Sequence, residues 1–356
     1  MDFIDTLQKN KQSWDIFTCR EEYDPLVRDK FDRFPHYASK NRNIFEPHAS
    51  RFLVEQGYHP GYPDDKPFAV CLTHDIDIIH KPLAEKTFET LGKARKARFL
   101  ECGFSEYAGI ISLMSSKKQP FYNFPDIMAL EDQYGAKSSF YFQVLKPGDQ
   151  DYDYQIEECE SVIGTISDRG WEVGLHGGHT SYNDPLDMKE KKQKLEKIMN
   201  KNVVGYRNHF LRLRVPATFE FLHQAGFCYD STLGYADCIG FRNGMCHPFK
   251  PYNLTTQREI NILEIPLNIM DDTLDRYMRL DAVTSWDMTK MLIDTVEKYQ
   301  GTLTILWHNY SFSGEKRKLY EKILNYCQEK NAWMTSGEQI STWWKNEFRP
   351  GRLPIG

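Results

Sequence analysis

The sequence FAVCLTHDID, residues 68–77, joins an apolar run to two aspartates placed two positions apart. The apolar run Phe68–Leu72 is short and β-prone, so it predicts a buried strand over 68–73, with Asp75 and Asp77 just after its carboxyl end. Two such carboxylates can serve different ends, one binding a cation and the other moving a proton. A turn that caps a helix uses the same pattern, so both interpretations stand at this point.

Outward from this stretch, short apolar runs alternate with helical patterns, which is typical of βα units around a parallel sheet. The further predicted strands are 138–143, 171–175, 203–206, 227–230, 262–267, 302–307 and 332–334. The predicted helices are 124–134, 154–169, 185–200, 216–225, 286–299, 315–329 and 337–346. This repetition favours an α/β protein with a (β/α) barrel over an open sheet, and barrel enzymes carry their chemistry at the carboxyl ends of the strands.

Ionisable side chains also follow other predicted strands. His176 and His179 come after the third strand, separated by Gly177 and Gly178, which let the backbone approach a ligand closely. Imidazole and carboxylate together are the ligand set of catalytic zinc and related divalent metals. The later strand ends carry Arg207, His209, Asp230, His308 and Asn309. Any one of them could be a satisfied buried polar group, but stability alone does not explain so many charged strand ends.

Three segments lie outside the strand and helix pattern. Residues 1–66 are polar and aromatic-rich and end in a turn, which predicts an N-terminal extension to a barrel domain over 67–346. Residues 78–122 interrupt the pattern after the first strand and predict a helical insertion whose basic run is a solvated face. Residues 347–356 are expected to form a C-terminal tail.

Composition excludes several classes of partner. The net charge of −5 over 356 residues provides no positive field for nucleic acid, and no apolar stretch is long enough to span a bilayer. The first residues lack a secretory apolar core, and eight scattered cysteines without a CxxC pair indicate reduced thiols, so we expect a cytoplasmic protein. Cys238, Cys246 and His247 leave a partial zinc site as an alternative. The oligomeric state is not predicted.

Taken together, these residues resemble the polysaccharide deacetylases, the NodB-homology or carbohydrate esterase 4 superfamily, over about residues 66–345. The matching segments are THDID (73–77), GLHGGHTSYND (174–184), GYRNHFLR (205–212), YDSTLGYAD (229–237), GFRNGMCHPF (240–249) and ILWHN (305–309). They look closest to a bacterial branch with a THDxD start. The resemblance implies a distorted (β/α)7 barrel and a metal-dependent hydrolase that removes an N-acetyl group from a sugar or glycan precursor. No GxSxG elbow is present, so water is the expected nucleophile.

The resemblance also implies a role for each matching residue. The implied catalytic residues are Asp75 as general base, Arg207 orienting that base, His308 as general acid, and Asp230 as a carboxylate partner. The implied metal ligands are Asp77, His176 and His179, with His209 or a water as the alternative third ligand. Thr180 stands where the family has its second histidine, and His179 lies one residue earlier. The implied cofactor is a divalent metal ion, zinc first, with cobalt, nickel or iron as alternatives.

Side chains near the strand ends are candidates for contact with the sugar. The substrate-binding candidates are His209, Trp307, Tyr235 and Asn309, with Tyr182 and Tyr206 as further stacking surfaces. Core packing is the alternative explanation for each aromatic ring. Two other functions stay open, a cyclic-amide hydrolase similar to allantoinases and a catalytically inactive barrel that binds glycan. The expected cytoplasmic location favours a nucleotide- or lipid-linked precursor as the substrate.

Overall fold

The computed structural model describes residues 3–80 and 121–347, and its centre is a curled parallel sheet. The strands are β1 (Ala69–Ile76), β2 (Ser139–Gln143), β3 (Glu172–Gly177), β4 (Gly205–Asn208), β5 (Tyr229–Asp230), β6 (Tyr252–Asn253), β7 (Arg258–Glu259), β8 (Leu263–Glu264), β9 (Ile269–Met270), β10 (Thr302–Leu306) and β11 (Trp333–Thr335). The main sheet has the order β8-β5-β4-β3-β2-β1-β10-β9, and β11 pairs with the first residues of β1. Strands β6 and β7 form a separate antiparallel pair. The predicted α/β class and barrel-like fold are confirmed.

Helices follow most of the strands, as the sequence predicts. They are α1 (Phe3–Leu7), α2 (Lys11–Phe17), α3 (His48–Glu55), α4 (Phe124–Gln133), α5 (Glu160–Asp168), α6 (Pro185–Met199), α7 (Ala217–Ala225), α8 (Ala282–Lys298), α9 (Gly314–Glu329) and α10 (Gly337–Glu347). The start of α6 shows the local cause, because the Asp184 side chain accepts hydrogen bonds from the Leu186 and Asp187 amides at 3.0 and 3.1 Å. Gly226, with φ of 80°, ends α7 in the left-handed region.

The register of the sheet places the functional side chains near one another. All eight residues of β1 are buried, as expected for a strand covered on both faces. Asp75 lies beside Tyr141 of β2 in the pairing, and His176 of β3 lies directly beside Arg207 of β4. Because the strands are parallel, their carboxyl ends open onto the same side of the sheet.

The N-terminal segment packs onto the barrel. Leu7, Phe17 and Leu53 of its helices are buried in the same apolar core as the strands. Glu22 forms a buried ion pair with Arg242, with 2.9 Å between Oε1 and the donating Nε. This segment is therefore part of the barrel's packing surface, although its status as a separate unit stays a prediction.

The predicted insertion and the predicted C-terminal tail lie mostly outside the described residues. The predicted insertion 78–122 falls mainly in the range 81–120, and the tail 347–356 falls almost wholly after Glu347, so both lie outside the part of the chain that the structure describes.

Across residues 3–80 and 121–347, no helix combines the length and apolarity that crossing a membrane requires. The seven cysteines of these ranges are unpaired, and both ring nitrogens of His247 face protein oxygens, Ser50 Oγ at 2.9 Å and the Tyr299 carbonyl at 3.0 Å.

Candidate active site

A cleft of about 520 Å³ opens at the carboxyl ends of β1, β3, β4 and β10. Its walls combine ionisable groups at the centre with aromatic and cationic groups at the rim. The central residues are Asp75, Asp77, Asp151, His176, His209, Asp272 and His308. The position agrees with the strand-end rule that the sequence analysis applied.

Three potential metal ligands converge at the floor of this cleft. Single ligand atoms of Asp77, His176 and His209 all lie within 4.8 Å of one another. His176 Nε2 is 3.1 Å from Asp77 Oδ1 and 3.2 Å from His209 Nδ1. The third member of the predicted ligand set, His179, is not in this group, and His209 from the adjacent strand end takes its place.

The hydrogen-bond partners of His176 and His209 determine which ring nitrogen of each faces the metal-ligand group. His176 Nδ1 donates to the Arg207 carbonyl at 3.0 Å, so Nε2 is left with its lone pair toward Asp77. His209 turns its Nε2 toward Asp151 Oδ2 at 3.4 Å and its Nδ1 toward Asp77. Burial alone would lower the pKa of His209, but the carboxylates of Asp77 and Asp151 raise it to about 9.

The Asp77 carboxylate lacks a hydrogen bond of normal geometry at one oxygen. Its Oδ1 is buried and has no hydrogen-bond donor within the described residues, although imidazole nitrogens of His176 and His209 lie at 3.1 and 3.4 Å. Burial would raise the pKa of Asp77, but the neighbouring imidazoles hold it well below its usual range. A carboxylate oxygen and two imidazole nitrogens that converge in this way match the ligand set of a divalent cation such as zinc.

Asp75 lies beside this group and is held by Arg207. The guanidinium Nη1 donates to Asp75 Oδ1 at 3.3 Å and to Thr73 Oγ1 at 2.6 Å, while Nη2 donates to Ser231 Oγ at 2.8 Å. Arg207 is fully buried, so its charge is fixed against Asp75 rather than shared with solvent. The second oxygen, Oδ2, is 3.7 Å from His176 Nε2 and faces the metal-ligand group.

His308 stands across the cleft, paired with a carboxylate that the sequence analysis missed. Its Nδ1 donates to Asp271 Oδ1 at 2.6 Å, and its Nε2 lies 3.6 Å from Asp77 Oδ2. Burial would lower the pKa of His308, but Asp271 raises it to about 10. The Tyr310 ring stacks on the imidazole with 4.7 Å between centroids. Asp271, His308 and neighbouring Asp272 also lie within mutual ligand distance, but the first two are already joined by a hydrogen bond.

Asp230, predicted to be the carboxylate partner, does not line the cleft. Asp230 is fully buried, and it lies beside Glu264 in the pairing of β5 with β8. Its Oδ1 accepts a hydrogen bond from Thr232 Oγ1 at 2.6 Å. The carboxylate that contacts His308, the predicted general acid, is Asp271. His179 lies outside the ligand group, and its Nδ1 is 3.6 Å from Asp151 Oδ2.

Apart from His209, the predicted sugar contacts lie outside the cleft lining. Trp307 and Tyr206 are fully buried in the main core, and Tyr235 packs with Phe34 and Ile44. Asn309 is buried and donates from Nδ2 to the Ile78 and Phe121 carbonyls at 2.7 and 2.9 Å. Tyr182 donates to Asp32 Oδ2 at 2.5 Å. None of these side chains lines the cleft in the described residues, whose aromatic walls are Phe31, Phe210, Tyr277 and Tyr310.

Comparison with known proteins supports the fold. No protein-family model and no curated protein sequence matches the chain. A solved structure described as a "putative polysaccharide deacetylase" from Mycobacterium smegmatis superposes with a TM-score of 0.54 at 17% identity, covering 83% of this chain and 97% of the other. A "probable polysaccharide deacetylase" from Pseudomonas aeruginosa superposes with a TM-score of 0.55 at 16% identity, covering 82% and 95%. The chain therefore has the fold of these deacetylases, which confirms the resemblance at the level of structure.

Proposed function

We propose that this protein is a metal-dependent hydrolase that releases acetate from an N-acetylated sugar or glycan precursor. The observation that carries the proposal is the convergence, in one cleft, of a carboxylate fixed by arginine, an aspartate–dihistidine ligand group and a histidine paired with aspartate. These are the three parts that amide hydrolysis by water needs: a base, an electrophilic centre and an acid. The proposal that the substrate is a cytoplasmic glycan precursor comes from the sequence alone.

Asp75 is the proposed general base. Because Arg207 occupies Oδ1, the proton of the attacking water goes to Oδ2, the oxygen that faces the metal-ligand group. Arg207 fixes the orientation of the carboxylate before the reaction. The hydrogen bonds that Arg207 donates to Thr73 and Ser231 keep the guanidinium in place during the proton transfer.

Asp77, His176 and His209 are the proposed ligands of the cation. A divalent ion bound there supplies a Lewis acid that polarises the acetamide carbonyl and lowers the pKa of water. The chain prepares this site through contacts outside the ligand group, because the Arg207 carbonyl fixes the His176 ring and Asp151 faces the far nitrogen of His209. Asp151 thereby has a positioning role that the sequence did not indicate.

His308 is the proposed general acid. An amine cannot leave as an anion, so the departing nitrogen needs a proton from a group that is charged at neutral pH. Asp271 keeps the His308 imidazole protonated and turns Nε2 into the cleft, toward Asp77. The stacked Tyr310 ring restricts rotation of the imidazole.

Metal content tests the ligand group. The purified protein is loaded with zinc, freed of excess ion and analysed by inductively coupled plasma mass spectrometry, alongside two matched variants, His209→Ala and His179→Ala. We expect about one ion per chain in the wild type and in His179→Ala, and loss of the ion in His209→Ala. Retention by His209→Ala together with loss by His179→Ala would restore the ligand set implied by the family resemblance.

Acetate release tests the reaction. Loaded protein is incubated with N-acetylglucosamine oligomers and with N-acetylglucosamine 1-phosphate, and free acetate is measured. We expect Asp75→Asn to lower turnover by about 10²–10⁴-fold, the usual contribution of general-base catalysis, without loss of bound metal or of folded signal by circular dichroism. If acetate release is absent in the loaded wild type, the deacetylase proposal fails, and a cyclic-amide substrate becomes the next assay.

A further inference from the structure

A turn of the N-terminal segment forms one wall of the cleft. Lys30, Phe31 and Arg33 line it together with Arg276 and Tyr277 from the far side of the barrel. The segment that the sequence marks only as an extension therefore contributes directly to the space next to the metal-ligand group. Its side chains are cationic and aromatic, unlike the aspartates and histidines of the floor.

The turn is anchored to the barrel by one ion pair and by hydrogen bonds. Asp32 Oδ2 accepts hydrogen bonds from Arg214 Nη2 at 2.8 Å and from the Tyr182 hydroxyl at 2.5 Å. Arg33, which is 6% exposed, donates from Nε to Asp29 Oδ2 at 2.7 Å and from Nη1 to the Phe210 carbonyl at 3.2 Å. These contacts fix the turn against the strand ends, so it is a built wall and not a loose terminus.

The aromatic contact of this wall reaches the loop that carries His209. The rings of Phe31 and Phe210 stack with 4.5 Å between centroids and 11° between planes. Phe210 and Leu211 both have positive φ, 59° and 55°, a conformation that side chains other than glycine adopt at a cost. The Arg33 hydrogen bond and the Phe31 stack hold this strained loop, and the turn thus supports the cleft floor as well as its side.

The charge of the wall is positive and partly unpaired. The Lys30 ammonium lies 4.8 Å from the centroid of the Phe31 ring, and no carboxylate of residues 3–80 or 121–347 pairs with it. Arg276 has a side chain that is 62% exposed, and its partner Asp272 is shared with Lys316. Arg33 links the two sides, because its guanidinium faces Phe31 and donates to the Tyr277 hydroxyl at 3.3 Å.

We propose that this turn is a specificity element that selects N-acetylated sugars bearing an anionic substituent, either a phosphate or a carboxylate. Lys30 and Arg276 contact the anion at the rim, while Phe31, whose ring stacks on Phe210, borders the sugar with its edge. The inference rests on the proposed function only for the acetyl group. The preference for an anion is a binding property that can be measured without turnover.

Binding of three matched ligands tests the proposal. Isothermal titration calorimetry on the zinc-loaded protein compares neutral N-acetylglucosamine with N-acetylglucosamine 1-phosphate and with N-acetylmuramic acid, whose added group is a carboxylate. We expect one or both anionic sugars to bind at least about 10-fold more tightly than the neutral sugar, with the advantage shrinking as salt rises. The better of the two identifies the source of the anion.

Three variants and one control locate the effect. Lys30→Gln and Arg276→Gln are expected to reduce the anionic preference by about 3- to 10-fold each, while Lys318→Gln, an exposed lysine on α9, leaves it unchanged. Phe31→Ala is expected to weaken all three sugars by a similar factor. Equal affinity for neutral and anionic sugars, or a preference that survives both charge substitutions, overturns the inference. If the protein binds anionic sugars more tightly but releases no acetate, the inference is supported and only the proposed deacetylase reaction is contradicted.

Discussion

Replacing Asp271 by asparagine tests whether this carboxylate keeps His308 protonated. In the wild type, His308 Nδ1 donates to Asp271 Oδ1 at 2.6 Å. The substitution keeps an oxygen that can accept this hydrogen bond but removes the negative charge. The pKa of about 10 for His308, against an ordinary value of 6.5, corresponds to about 5 kcal/mol in favour of the imidazolium. Burial favours the neutral ring while Asp77 and Asp272 still favour the charged one, so the pKa of His308 in the variant is expected to fall well below its wild-type value.

The assay is a pH titration of the His308 ring signal by NMR in metal-free protein, assigned by comparison with His308→Gln. We expect the wild-type signal to stay in its protonated position through pH 8 and the Asp271→Asn signal to change between about pH 5 and 7. Asp275→Asn is the control, because Asp275 lies on the same turn but is 61% exposed and pairs with Lys316. A His308 pKa in Asp271→Asn within about one unit of the wild-type value would refute the assignment.

The same pair links stability to pH, with a definite sign. Because the folded-state pKa of His308 lies above its unfolded value, its stabilising contribution is complete below about pH 6.5 and is lost as pH rises through about 10. The difference in free energy of unfolding between wild type and Asp271→Asn should therefore be largest at neutral pH or below and shrink at pH 10.5. Urea unfolding at several pH values measures this difference.

Three other substitutions give independent checks. Burial raises the pKa of Glu172 to about 7, so its ionisation destabilises the fold as pH rises from about 4.5 through 7, and Glu172→Gln should remove about 3 kcal/mol of that pH dependence in urea unfolding. Glu22→Gln leaves the buried Arg242 without its carboxylate and should lower the free energy of unfolding by about 3–5 kcal/mol, a loss that a surface pair would not show. Trp307→Phe should cost about 1–3 kcal/mol of stability and leave the KM for the sugar within about twofold, since the ring is packed in the core; a large rise in KM would return Trp307 to the substrate site.

The strands with clear apolar runs were predictable because burial on both faces leaves a continuous signal in the sequence. The first strand extends further than predicted, to Ile76, since its polar end still pairs with β2. Strand β9 contains only Ile269 and Met270, too few residues for any periodicity. Asp271 follows it directly, so the strand-end rule that located His308 would also have located Asp271 had β9 been recognised.

The ligand group shows what a linear motif omits. His176 was predictable from the strand end, but the choice between His179 and His209 depends on where each loop turns after its strand. The left-handed conformation of Phe210 turns the chain directly after His209, which lies within ligand distance of His176. Asp151 lies in an irregular loop with φ of 63°, where an acidic residue has the same sequence signature as any solvated turn.

The anchoring of the N-terminal turn also fixes the order in which the cleft can be completed during synthesis. Arg33 leaves the ribosome before Tyr277, whose hydroxyl it bonds and which follows 244 residues later. At about 5–20 residues per second, that interval is roughly 10–50 s. Throughout it, Leu7, Phe17 and Leu53 lack much of the barrel core that buries them, so the nascent chain exposes apolar surface suited to a chaperone. The wall beside the metal-ligand group is thus translated well before the residues that complete its contacts.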